Sequence, residues 1–131
     1  MIGLDTNVLI RYLTRDDEQQ WQQASTVIQA ADQCFLSNIV LCEIIWVLRG
    51  KPYQLSKAEI LSTLETMLQI SKFTYENRSI IYQALQRTKQ GRADFSDYLI
   101  GAIAQSKNCN EVVTFDQKLD KDDGFRCLSH Q

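Results

Sequence analysis

The chain has 131 residues, 44% of them hydrophobic and 23% charged, with a formal net charge of −2 and a pI near 5.3. That is the size and composition of one globular domain with a core of its own, and the charge balance excludes the strongly basic class of DNA-binding module. No apolar run reaches the ~18 residues of a membrane span, and the N-terminus lacks the segments of a secretory leader, so a cytoplasmic protein is expected.

The segments read as alternating strands and helices. Met1–Leu4 reads as a short buried strand ending at Asp5, and Asn7–Leu13 carries apolar residues at helical spacing. The polar run Thr14–Gln20 breaks that pattern, and a second helix is expected over Trp21–Ala31. Cys34–Leu36 suits a strand. Ser37 or Asn38 then caps a strongly apolar helix through Leu48, which ends near Gly50 and Pro52. Ser56-Lys-Ala-Glu59 matches a capping box and opens a helix with Ile60, Leu61, Leu64, Met67 and Leu68 on one face. Phe73–Tyr75 reads as a short strand. Asn77 caps a helix with Ile80, Ile81, Ala84 and Leu85 inward, fading into Arg87–Arg92. Asp94-Phe-Ser-Asp97 begins another helix, Val112–Phe115 is a strand, and Phe125–Leu128 a last one. Such alternation implies a single α/β domain, residues 1–131, with a mainly parallel sheet.

Cysteine usage excludes one chemistry. Cys34, Cys42, Cys109 and Cys127 show no metal-ligand spacing, and the only histidine is His130, so a zinc site is not expected. The cysteines read as four reduced thiols, three of them core residues.

Four carboxylates stand out. Asp5, Glu43, Asp97 and Asp116 lie at the end of an apolar segment or inside one, and ionised acids are rarely buried without a partner. No Lys or Arg lies within three residues of Asp5 or Glu43. In open parallel sheets, sites form beyond the carboxyl ends of the strands. Asp5 and Asp116 follow strands directly, Glu43 sits in a helix that follows one, and Asp97 opens a helix, so all four can reach one edge. Each also has a bland reading: Asp5 as a helix cap, Glu43 as the solvated position of an apolar helix, Asp97 as an acid facing the helix dipole, Asp116 as a turn former. Asp94 suits a cap, whereas Asp97 points partly along the buried stripe, where Gly101 leaves room beside it. Thr6 and Asn7 are placed to cap the following helix or to orient Asp5. Asp16, Asp17, Glu18, Asp120, Asp122 and Asp123 read as solvated surface. Two unit charges ~4 Å apart repel by about 4 kcal/mol at an effective dielectric near 20, so four ionised acids brought together call for cations. An oxygen-only set calls for Mg²⁺ or Mn²⁺.

Taken in order, Leu-Asp5-Thr-Asn-Val-Leu, Ser37 with Glu43, Asp94-Phe-Ser-Asp97-Tyr-Leu-Ile and Val-Val-Thr-Phe-Asp116 resemble the PIN-domain family, in particular its VapC-type toxin ribonucleases. The resemblance spans nearly the whole chain. It implies a three-layer α/β/α sandwich and a Mg²⁺- or Mn²⁺-dependent endoribonuclease with Asp5, Glu43, Asp97 and Asp116 as its metal-binding and catalytic acids. Asp94 matches a further acid frequent in the family, and Thr6 and Thr114 match hydroxyl positions near the metals. A cognate antitoxin and a homodimer are also implied. On that reading RNA is the substrate, and Arg11, Arg15, Arg49, Lys51, Arg87, Lys89 and Arg92 are candidates for holding its backbone. The alternatives are a receiver-like Mg²⁺-binding signalling domain, disfavoured because Asp5 is followed by Thr6 and Asn7 rather than a second acid, and an interaction domain whose acids only cap helices.

Overall fold

The computed structural model describes residues 1–128, which leaves His130 outside. The chain divides into two compact units, Met1–Glu76 and the segment from Asn77 onward. All strand pairs among the described residues are parallel, as expected of the α/β class.

The first unit runs β1 (Ile2–Gly3), α1 (Thr6–Thr14), α2 (Glu18–Ala30), β2 (Cys34–Leu36), α3 (Asn38–Arg49), α4 (Lys57–Leu68) and β3 (Phe73–Tyr75). Its sheet has the order β1-β2-β3, with Ile2 opposite Cys34 and Cys34 opposite Phe73. Parallel neighbours need crossovers, and α1–α2 and α3–α4 supply them. Leu9, Leu36, Leu41, Ile44, Leu64 and Met67 fill the core of this unit. Short polar side chains start its helices. Asp5 accepts from the Val8 amide, Asp17 from Gln20 and Ser37 from Val40, while Ser56 and Glu59 close a reciprocal capping box.

The second unit runs α5 (Arg78–Gln90), α6 (Phe95–Ser106), β4 (Val112–Thr114), a single 3₁₀ turn (Gln117–Leu119) and β5 (Phe125–Cys127), with Val112 opposite Phe125. Ile81, Leu85, Phe95, Tyr98, Leu99 and Leu119 are buried. The Tyr98 hydroxyl donates to Asp122 Oδ2 at 2.7 Å. The Arg87 guanidinium donates to the Asp123 carbonyl at 2.8 Å and lies 5.2 Å above the Tyr98 ring. Gly91 is required here, because a Cβ at that position would come 1.8 Å from the Tyr98 hydroxyl.

Several expectations shift. β1 covers only Ile2–Gly3, and its residues are exposed; Leu4 alone at this end is buried. α2 begins at Glu18 rather than Trp21, because Asp17 caps it and the polar run forms its first turn. Asp17 and Asp122 are therefore structural, not merely solvated. So is Asp16, which accepts from the Tyr53 hydroxyl at 2.6 Å and from Thr14 and Arg11. None of the four cysteines forms a disulfide, but only Cys34 is buried; Cys42 and Cys127 are half-buried and Cys109 exposed. The room expected beside Gly101 is taken by the Phe125 ring, 2.7 Å from where a Cβ would stand. Among the described residues no helix is long and apolar enough to cross a membrane.

Candidate functional site

The candidate acids fall in two sets, one in each unit; Asp5, Asp97 and Asp116 lie at strand ends or helix starts, and Glu43 in the middle of α3. In the first unit Asp5 follows β1 and caps α1, its Oδ1 accepting from the Val8 amide at 3.0 Å. Thr6, the first residue of α1, donates its hydroxyl to Glu43 Oε1 at 2.6 Å. Thr6 thus orients Glu43 rather than Asp5. Asn7 is exposed.

Glu43 takes the solvated position that was its bland reading. It is not buried among apolar neighbours but exposed, on a face of α3 that also exposes Ile39 (71%), Trp46 (59%) and Val47. The buried side of α3 carries Val40, Leu41, Ile44, Ile45 and Leu48. The outer face of α3 thus exposes apolar side chains beside Glu43.

In the second unit Asp97, at the third position of α6, is half-buried and accepts from the Asp94 amide through Oδ2 at 3.1 Å. Burial pushes its carboxyl above the ordinary aspartate value. The Asp94 amide bond and the Lys118 charge pull it back, while the Asp94 and Asp116 carboxylates add to the rise. Asp116 follows β4. The Thr114 hydroxyl accepts from its amide at 3.0 Å, and its Oδ1 accepts from the Lys118 amide at 2.9 Å. Asp116 Oδ2 lies 4.0 Å from the Lys118 ammonium.

One pattern runs through both units. Asp5, Asp97 and Asp116 each tie one carboxylate oxygen to a backbone amide at the start of a helical segment, which fixes the direction of the other oxygen. The donors are carboxylates and hydroxyls, the oxygen chemistry that suits a hard divalent cation. Among the described residues no three acid, histidine or cysteine side chains are drawn together tightly enough to hold a metal ion. The fit lies in donor type.

Three of the basic candidates have partners that the geometry defines. Arg11 donates to Gln20 at 2.6 Å and to Asp16 at 3.0 Å. Arg15 pairs with Glu18 at 3.0 Å and stacks 3.7 Å above Trp21. Arg87 is engaged as described. Arg49, Lys51, Lys89 and Arg92 are exposed. Two residues escaped the sequence reading. Glu76, just after β3, accepts from the Asn38 amide at 2.7 Å and so satisfies the start of α3. Lys118, two residues beyond Asp116, faces that carboxylate; its spacing was the signal, obscured by the charged run around it.

The chain is thus built of parallel α/β units whose carboxylates and hydroxyls are oxygen donors of the kind a hard cation takes. The chain belongs to the PIN domain family, whose model matches residues 2–124. It is also 26% identical to a VapC ribonuclease from Aquifex aeolicus (strain VF5) over 121 residues, which cover 90% of this chain and 89% of that protein. PIN and VapC nucleases are in general dependent on divalent metal.

Proposed function

We propose that the chain is a single-domain endoribonuclease of the toxin type, hydrolysing RNA phosphodiester bonds with Mg²⁺ or Mn²⁺ held by Asp5, Glu43, Asp97 and Asp116. The observation that carries this reading is the half-buried Asp97 carboxyl, raised by burial and by the acids Asp94 and Asp116, in a chain of this family. Such a group gains most from a cation. The likeness to a VapC ribonuclease supports RNA as the substrate and a cognate antitoxin as a partner.

When bound, the cation would supply an acidified water and neutralise charge developing on the phosphate. The residues of the chain prepare for that. The amide bonds to Asp5, Asp97 and Asp116 present a single oriented oxygen from each. Thr6 steers Glu43, which suits it to orient the attacking water or a second ion. Thr114 fixes the backbone of Asp116. Asp94 holds the start of α6 through its amide. Arg11, Arg15, Arg49, Lys51, Arg87, Lys89 and Arg92 stay as proposed contacts to the RNA backbone, and Arg11, Arg15 and Arg87 would first have to give up the pairings described above. The exposed apolar face of α3, with Ile39, Trp46 and Val47, supports a protein partner, and we assign it to a homodimer in the cytoplasm.

The test is cleavage of total RNA by the purified protein. Cleavage is expected with Mg²⁺ or Mn²⁺, none in EDTA, and none from Asp97→Asn with an unchanged circular dichroism spectrum. Cleavage that persists in EDTA, or in that variant, overturns the proposal. A folded protein that binds Mn²⁺ but cuts nothing would point to an interaction domain instead.

A further inference from the structure

Both oxygens of Asp116 face one residue. Oδ1 accepts from the Lys118 backbone amide at 2.9 Å, and Oδ2 lies 4.0 Å from the Lys118 ammonium. The charge of Lys118 also reaches Asp97, where the Asp94 and Asp116 carboxylates act in the opposite sense. All of these residues belong to the second unit. The Lys118 side chain is 49% exposed, so the ammonium is solvated on one side and meets the carboxylate on the other.

We propose that Lys118 is a resident counter-charge for Asp116 and Asp97, which holds the carboxylates in place without a divalent ion and competes with that ion for Asp116 Oδ2. The inference rests on the assignment of these acids to the cation site. An ammonium is a compact point charge on a flexible four-carbon stem. At 4.0 Å and half exposed, its pairing with Asp116 is a weak interaction that solvent readily replaces. It can therefore swing clear when a doubly charged ion arrives, and the energy of that ion's approach includes the work of displacing it. The amide bond to Oδ1 survives the exchange, because it comes from the backbone of Lys118 and not from the ammonium. Asp116 thus keeps its direction while its second oxygen changes cation. Lys118 is a positioning residue on this account, acting through Asp116.

Removing the charge should make the metal bind more tightly, the opposite of what loss of a ligand or of folding would do. The experiment is calorimetric titration of the metal-free protein with MnCl₂ at neutral pH and low ionic strength. Lys118→Met is expected to tighten Mn²⁺ binding about three- to tenfold, the scale of repulsion between a single and a double charge roughly 6–13 Å apart in water, the separation left once the ammonium has swung clear. The same variant should melt at a lower temperature than wild type in EDTA. Lys118→Arg, which restores the charge, is expected to return the affinity to within about twofold of wild type. Lys107→Met, an equal change of net charge at another exposed position of this unit, should leave it unaltered. Unchanged or weaker binding in Lys118→Met overturns the inference, as does equal tightening in Lys107→Met. If wild type binds no Mn²⁺ at all, the cation-site assignment itself falls and takes the inference with it. Binding that is present but indifferent to Lys118 sinks the inference alone.

Discussion

Helix capping and cation binding looked like competing accounts of Asp5, and its geometry leaves one carboxylate oxygen outside the cap bond. Its Oδ1 meets the Val8 amide, and its other oxygen is not needed for that bond. Asparagine caps a helix as well as aspartate does, through the same oxygen, but carries no charge. Asp5→Asn is therefore expected to change the unfolding free energy by less than about 0.5 kcal/mol while abolishing metal-dependent cleavage, whereas Asp5→Ala should cost about 1 kcal/mol more. Urea unfolding of the metal-free variants checks both. Asp97 makes a prediction of its own. Its folded pKa is raised, first by burial, so the folded chain binds that proton more tightly than the unfolded chain. Ionisation of Asp97 then costs stability near neutral pH, and the cost fades as pH falls through the raised value toward the ordinary one. In EDTA, Asp97→Asn should melt above wild type at pH 7, with the gap closing as the solution is acidified. Equal melting curves at every pH would contradict this.

At the scale of elements, the parts set by local chemistry were legible. Ser56 and Glu59, the two ends of a four-residue capping box, open α4 as expected, and Ser37, Asn77 and Asp94 stand at the starts of α3, α5 and α6. The start of α2 was hidden, since its first turn is polar and apolar periodicity begins only at Trp21. Faces were harder than spans. In Ile-Val-Leu-Cys-Glu-Ile-Ile-Trp-Val-Leu the helical period is blurred by apolar residues on every side, so the sequence could not show that Glu43 shares an exposed face with Ile39 and Trp46. Nor could it place the Phe125 ring against Gly101, a contact made between α6 and a distant strand. The sequence order of the acids was readable; which oxygen of each is tied to an amide was not, because that depends on backbone direction at the strand ends. The contacts within the second unit are also testable. Gly91→Ala drives a methyl group into the Tyr98 hydroxyl and should break its bond to Asp122, destabilising the protein by about 2 kcal/mol or more, measured by thermal unfolding. Because the backbone of Gly91 is ordinary (φ −92°), a loss of that size would come from crowding alone.

For the whole molecule the decisive property is its partners. A chain of net charge −2 gains no general attraction to RNA, and two divalent ions would turn that charge to +2. Substrate binding should therefore depend on the metal as well as catalysis, which fits a protein of this family. Protein partners are a matter of the uncovered apolar surface. Trp46→Lys, in the middle of the exposed face of α3, should leave the monomer folded and shift the light-scattering mass from dimer to monomer at micromolar concentration. A wild-type protein that is monomeric at all concentrations would remove the homodimer assignment and leave that face to the antitoxin.

The exposure of Trp46 has an optical consequence. The chain has two tryptophans, and Trp21 lies beneath the Arg15 guanidinium at 3.7 Å, an environment made within its own helix and the residues just before it. Trp46 stands in water, one turn of α3 from Glu43. Its fluorescence should be red-shifted and readily quenched by acrylamide in the free chain, and should move to the blue when anything covers that helix. The protein thus carries an intrinsic fluorophore on the surface its partners are expected to use, so association can be followed without a label.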